Sequence, residues 1–339
     1  MPGLSFYRFA GKTGLLSTLC LTLILAQGVF VWGQEQKTMS QEPPSAVKSA
    51  ETPQFDAKRA FADLERQVKF GPRVPGTRGH TECQDWMVEE LKKSCGNANR
   101  QTFRALLSRT RTEPRIELRL TNVYAAINPE AKKQVLLCAH WDTRPTADME
   151  EDPKKANQPI PGANDGASGV AVLLEVARLF AAKKPEVGVQ FVFFDGEDYG
   201  PHDDRMYLGA KWYARKPALP KPDYAILVDM VGDKNLGIPR ELRSEAMARE
   251  INDKVWNAAK ELGIKQFLPT KGHLVNGYLE EIWDDHLPLQ EAGWKAIDLI
   301  DFDYPYWHTL EDTPDKCSPE SLKAVGDVLA KVIYDEKNS

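Results

Sequence analysis

Residues 191–200, Phe-Val-Phe-Phe-Asp-Gly-Glu-Asp-Tyr-Gly, set three carboxylates, Asp195, Glu197 and Asp198, within four positions directly after four apolar residues. Adjacent acids repel one another unless a proton or a cation settles the charge, so this spacing suits general acid-base work or metal binding. A solvated acidic turn has the same composition, and the string by itself reads that way. What argues for chemistry is its company: His140-Trp141-Asp142, Asp165 in PGANDGASG, Asp229 in LVDMVG, Asp284-Asp285-His286, and Trp307-His308. Asp, Glu and His without paired thiolates form the donor set of a catalytic Zn2+, which keeps one position open for water or substrate.

Groups so far apart in sequence act together only if the fold gathers them. Phe191–Phe194 is a continuous apolar run too short for a helix, so it reads as a strand buried on both faces, as in the middle of a parallel sheet. Residues 116–126, 134–139, 224–230 and 296–300 have the same strand texture. Apolar residues at helical spacing predict helices over 55–69, 81–94, 169–182, 206–215, 244–262 and 319–334, with a Pro/Gly loop at 70–80 and a polar insertion at 140–161. Strands alternating with helices, without a repeat or an internal linker, predict one doubly wound α/β domain with a mostly parallel central sheet flanked by helices. The carboxyl ends of parallel strands share one edge, where such sheets bind ligands. His140, Glu197, Asp198, Asp229 and His308 all follow or end strands, so they should meet there, with Asp165 entering from the loop before a helix. Each has a plain alternative: a helix cap for Asp165, a backbone bond for His140, an arginine partner for Asp229. Their shared edge is what those alternatives leave unexplained.

The chain has 339 residues, of which 42% are hydrophobic and 27% charged, with a formal charge of -5. That balance is globular, and the acidic sign, without a basic block or zinc-finger spacing, argues against a nucleic-acid partner. Arg8 and Lys12 precede an uncharged stretch over 15–32 with the kernel LCLTLILA, the layout of a signal peptide and also just long enough for a membrane anchor. Residues 1–33 are therefore expected to direct export, periplasmic or secreted, with membrane attachment only if this segment is retained. Residues 34–54 read as a flexible polar linker and 55–339 as the catalytic domain. Beyond residue 33 lie Cys83, Cys95, Cys138 and Cys317, which allow three full pairings. Cys83 and Cys95 sit about 18 Å apart along one predicted helix, too far to bridge. A G-x-S-x-G elbow is absent, so a serine nucleophile is the poorer expectation.

The order HWDT, GANDGASG, FFDGEDYG, LVDMVG, DDHLPL and WHTLEDT resembles the zinc aminopeptidase superfamily and, within it, the glutaminyl cyclases, over residues 55–339. The resemblance implies one Zn2+ on Asp165, Asp198 and His308. It implies an acid-base role for Glu197, hydrogen bonds from Asp229 and Asp284 to the leaving amide nitrogen or to each other, and a pocket wall from Trp307. Tyr304 and Tyr306 are implied at the pocket mouth, and Asp298 at the place where animal cyclases carry a substrate-facing His. His140, Asp142 and Asp229 are left for a second metal or for orienting the groups around the first. The implied reaction is closure of an N-terminal glutamine of a peptide or protein to pyroglutamate with loss of ammonia. The alternative is a zinc aminopeptidase with one or two metals, since dinuclear members also use the His of H-x-D and the later Asp. Asp284-Asp285-His286 and Trp307 favour the cyclase, because aminopeptidases usually carry a small residue at the first of the three positions. Animal cyclases have Glu-Glu where this chain has Glu197-Asp198; the E-D-Y-G form resembles the bacterial branch.

Overall fold

A computed structural model describes residues 53–107, 115–201, 203–275 and 278–339. The expected signal or anchor segment and nearly all of the linker lie outside these residues. In chain order the elements are α1 (Ala57–Lys69), α2 (Arg78–Cys95), β1 (Asn99–Leu107), β2 (Ile116–Ile127), β3 (Gln134–His140), the one-turn α3 (Pro153–Ala156), α4 (Ser168–Ala182), β4 (Gly188–Phe194), α5 (Leu208–Arg215), β5 (Tyr224–Asp229), β6 (Ile238–Arg240), α6 (Leu242–Met247), α7 (Arg249–Leu262), β7 (Phe267–Lys271), β8 (His273–Val275), β9 (Tyr278–Glu280), α8 (His286–Glu291), β10 (Ala296–Ile300) and α9 (Pro319–Asp335). Local chemistry marks several helix ends: Asp56, Thr77 and Ser318 cap α1, α2 and α9 by accepting backbone N–H bonds, and Gly96 closes α2 in the left-handed conformation. Among the described residues no helix is long and apolar enough to cross a membrane. The four cysteines in this region are unpaired.

The central sheet has the order β1-β2-β4-β3-β5-β10. Strands β4, β3, β5 and β10 are parallel, while β2 runs antiparallel to β4, and β1 to β2. The continuous apolar runs follow from burial on both faces. In β3, Val135, Leu137 and Ala139 face the core shared with α1, α2, α4 and α9, whereas Leu136 and Cys138 face the core under α5 and α8. In β4, Phe191 and Phe193 alternate with Val192 and Phe194 in the same way. The strand order places β4 and β5 on opposite sides of β3. The crevice beyond the carboxyl end of β3 is therefore the switch point at which such sheets bind ligands.

Two features depart from the sequence reading. The expected helix over 244–262 is two helices, because Ala248 leaves helical geometry with φ -147° and ψ 45°. The break lets α6 lie on β10 while α7 turns to lie on α9. Strand β1, the small β6-β7 and β8-β9 sheets and α8 were not anticipated; the edge strand β1 is largely solvated on one face and carries a weak apolar period.

The contact of α4 with β5 sets the sheet's most demanding packing constraint. A Cβ on Gly169 would lie 2.1 Å from the Val228 carbonyl oxygen. Alanine normally stabilises a helix interior by about 1 kcal/mol over glycine, but here the overpacking penalty of roughly 1–3 kcal/mol exceeds that gain. Gly169→Ala should therefore lower the stability measured by urea unfolding; a stabilised variant would show that the helix stands off the sheet.

Candidate active site

The carboxyl edge of the parallel strands delivers the acidic and imidazole groups. His140 ends β3, Asp229 ends β5, Glu197 and Asp198 occupy the turn after β4, and His308 lies in the loop after β10. The Asp142 carboxylate accepts the backbone N–H of Glu197 at 3.0 Å and of Asp198 at 3.2 Å, so it braces the turn that carries both acids. Asp312 does the same for the loop before α4, accepting from Asn164 N at 2.8 Å and Asp165 N at 3.1 Å. The two braced segments meet at Gly166, whose φ of +96° suits glycine and whose added Cβ would lie 2.4 Å from the Asp142 carbonyl oxygen. Buried Arg73, in the Pro/Gly loop before α2, donates to the carbonyls of Trp141, Pro161 and Gly162 and joins this assembly from behind.

Asp165 is not a helix cap: the N-cap of α4 is Ala167, with no side-chain cap bond. Its carboxylate instead lies between two imidazoles, with Oδ1 3.2 Å from His140 Nε2 and Oδ2 3.6 Å from His308 Nε2. His308 Nε2 is also 3.3 Å from Asp198 Oδ1. The donor atoms of Asp165, Asp198 and His308 lie within 4.8 Å of one another. Asp165 Oδ2 and Asp198 Oδ2 are buried without a hydrogen-bond partner, and two such carboxylates facing an imidazole nitrogen fit a divalent cation of the zinc type. His140, Asp165 and Asp229 form a second set that shares Asp165. There His140 Nε2 lies 3.0 Å from Asp229 Oδ1, so Asp229 is paired with an imidazole and not with an arginine.

His308 is held from its other side. Its Nδ1 lies 3.0 Å from Asp148 Oδ1, and Arg144 bridges Asp148 at 2.8 Å and Asp198 at 2.6 Å. A carboxylate behind a ligand imidazole fixes its tautomer and orientation. Neither Arg144 nor Asp148 was anticipated; both belong to the polar insertion, where sequence offers no period to place them. Burial disfavours the His308 imidazolium, but Asp198, Asp148 and Asp165 prevail and push its pKa up to about 9. His308 itself has φ +55°, and Met230, directly after Asp229, has φ +48°, conformations uncommon for non-glycine residues and enriched at functional sites.

Glu197, Asp229, Asp284 and the three donors face one narrow pocket walled by Met206, Ile282, Phe302 and Trp307. Trp307 stacks on His308 with ring centroids 3.8 Å apart. Burial, offset by His140 and reinforced by Asp198 and Asp284, holds Glu197 well above the usual carboxylate range. Burial and the Asp229 charge push Asp284 up to about 8. Three expected pocket residues lie elsewhere. Tyr304 is buried beneath the loop, where its hydroxyl donates to Asp312 at 2.8 Å. Asp298 is fully buried inside β10, facing Asp284 and His286 from behind, because its strand position points under the pocket floor. Tyr306 is half-buried against Tyr304, and its side chain does not line the pocket.

Residues 122–333 match the model of peptidase family M28. The chain belongs to family M28. Among solved members, the chain is 39% identical to a glutaminyl cyclase from Bacteroides thetaiotaomicron, with a TM-score of 0.78 over 84% of this chain and 100% of that one. A structure described as a leucine aminopeptidase precursor from the same organism matches at 39% identity and TM-score 0.78, over 84% of this chain and 99% of that one. The glutaminyl-peptide cyclotransferase of Bos taurus is 27% identical over 63% of this chain, a match that spans 66% of its own length. Within M28, then, the chain is homologous in both sequence and fold to bacterial glutaminyl cyclases.

The raised pKa of His308 fixes the sign of a pH effect on this M28 site. Without metal the imidazole holds its proton at neutral pH, so a cation must displace it. Apparent metal affinity should therefore fall roughly ten-fold per unit as pH drops below about 9. Titrations in buffers of different ionisation enthalpy would count the released proton; affinity unchanged between about pH 6 and 8 would contradict this protonation state.

Proposed function

We propose that this M28 protein is a zinc-dependent glutaminyl-peptide cyclotransferase that converts N-terminal glutamine of peptides or proteins to pyroglutamate and releases ammonia. The observation that carries the reading is the pairing, across one narrow pocket, of the Asp165, Asp198 and His308 donors with the buried Asp284 carboxyl. A closed reaction between two groups of one residue needs a small pocket and a group for the departing nitrogen. Hydrolysis also expels a nitrogen, but it needs room beside the scissile bond for an attacking water.

Asp165, Asp198 and His308 would hold one Zn2+ per chain. When bound, the ion supplies a Lewis acid that polarises the side-chain carbonyl of the substrate glutamine. Trp307 and Phe302 enclose that side chain and exclude water, so the substrate α-amine is the nearest nucleophile. Glu197 takes a proton from the amine as the new nitrogen-carbon bond forms, then passes it to the amide nitrogen as the old bond breaks and ammonia leaves. Its raised proton affinity is the direction an acid-base group needs near neutral pH. Asp229 and Asp284 meet the leaving nitrogen. Asp142 braces the turn that carries Glu197 and Asp198 without touching substrate.

A second reading, an aminopeptidase with two metals, is favoured by the His140, Asp165 and Asp229 set and by the aminopeptidase description of one solved relative. Export to the periplasm or beyond through residues 1–33, tethered by residues 34–54, completes the proposal; membrane attachment follows only if the segment is retained.

Incubation with matched Gln-initiated and Leu-initiated peptides separates the readings: a product lighter by one ammonia from the first supports the cyclotransferase, whereas loss of the terminal residue from the second supports the peptidase. Elemental analysis should return about one zinc per chain. Glu197→Gln should keep the zinc and lose about 100-fold or more in kcat, while Asp198→Ala should lose the zinc itself. Equal metal loss in the two variants would undo this division of roles.

A further inference from the structure

Behind Asp284 lies a buried group of side chains that the reaction as derived does not use. His286, at the start of α8, is fully buried, and neither ring nitrogen has a hydrogen-bond partner at ordinary distance. Its Nδ1 lies 3.6 Å from Asp298 Oδ2 on β10, and its Nε2 lies 3.5 Å from Glu241 Oε2, just before α6. Donor atoms of Asp284, His286 and Asp298, one from each, lie within 4.8 Å of one another, so the two carboxyls and the ring form one buried cluster. Asp284 Oδ2 and both oxygens of Asp298 also lack partners.

This order has one fixed end. Glu241 accepts the backbone N–H of Arg243 at 2.9 Å, Ser244 at 2.6 Å and Ile282 at 3.3 Å, so its carboxylate is pinned in place. Asp298 is pinned through its backbone, whose N–H donates to Ser244 Oγ at 3.0 Å. Glu241 and Asp298 thus share Ser244 as an anchor, and the His286 ring fills the gap between their carboxyls. Buried polar groups are rarely left unsatisfied, and separations of 3.5–3.6 Å close to hydrogen bonds with a small rotation of the ring.

We propose that His286, anchored by Glu241, is a positioning residue: with Nε2–H directed at Glu241, its Nδ1 meets Asp298, which then presents one fixed oxygen to Asp284 at the pocket wall. Without this support, two facing buried acids have several ways to place a proton between them, and Asp284 loses its defined hydrogen-bonding role. The inference rests on the cyclotransferase reading, in which Asp284 meets the leaving nitrogen.

The two amide side chains separate the ring's two contacts. His286→Asn places an amide near the Nδ1 position and keeps the contact with Asp298; His286→Gln places it near Nε2 and keeps only the contact with Glu241. With a Gln-initiated peptide, the Asn variant should stay within about three-fold of the wild-type kcat. The Gln variant should fall roughly ten-fold or more at unchanged KM, the scale of one lost buried hydrogen bond in the transition state. Melting temperature and zinc content serve as controls, since a merely structural role would move both variants together. Equal kcat losses, or losses in KM alone, overturn the proposal. Should neither variant fold, Glu241→Gln carries the test: a lower kcat at unchanged KM supports the anchor, and wild-type kcat overturns it. A wild-type enzyme inert toward the Gln peptide overturns the cyclotransferase reading and this inference with it, whereas an active one with indistinguishable variants overturns the inference alone.

Discussion

The crowding of carboxylates at one buried sheet edge is the constraint to which the rest of the molecule answers. Asp142, Asp165, Asp195, Glu197, Asp198, Asp229, Asp284, Asp285, Asp298 and Asp312 are all buried. Removing that many negative charges from water is costly unless each is bonded, paired or protonated. The fold uses all three means. Asp142 and Asp312 spend their charge on backbone N–H groups of the site loops; Asp195 pairs with His80 at 2.9 Å and accepts Thr121 N at 2.6 Å. Asp198 is paired with Arg144. Burial and the neighbouring acids push Asp284, Asp285 and Asp298 upward, toward the neutral acid. What remains uncompensated is the pair of open oxygens on Asp165 and Asp198, and a cation fits there.

The compensation also explains how rigid the site must be. Each braced loop is tied to at least one other: Asp312 joins the loop before α4 to Tyr304 in the loop after β10, and Asn164 Oδ1 accepts Gly232 N at 2.6 Å beyond β5. Ser168 continues this seam by accepting Val231 N at 3.0 Å. With the Asp142 and Arg144 bonds to Asp198, these ties link the loops that carry the three donors to one another, which preorganises a metal site.

Much of this was legible in the sequence because it depends on period and on strand ends. Continuous apolar runs bounded by acids announced the parallel strands, and the parallel arrangement placed His140, Glu197, Asp198, Asp229 and His308 on one edge. What was not legible depends on contacts between irregular segments. Arg73, Arg144, Asp148 and Asp312 sit in loops, where no spacing tells an anchoring residue from a solvated one. Asp298 was read as facing substrate from its match to a His of animal cyclases, and Tyr304 from its place in the loop before Trp307. The strand pleat turns Asp298 under the floor, and the Asp312 carboxylate draws the Tyr304 hydroxyl inward. The break at Ala248 escaped notice because the apolar period runs through it unchanged; only the different partners of α6 and α7 require it.

The position of Asp165 between two imidazoles has a consequence for how the scaffold diversifies. A carboxylate with one oxygen toward His140 and the other toward His308 belongs to two potential coordination spheres at once, so occupancy of the second is decided by what His140 and Asp229 do with each other. A change in the strength of that one imidazole-carboxylate bond would shift the ion count while leaving the backbone, the loops and the donors in place. On this framework the choice between one ion and two therefore turns on side chains at a shared carboxylate and not on the course of the backbone.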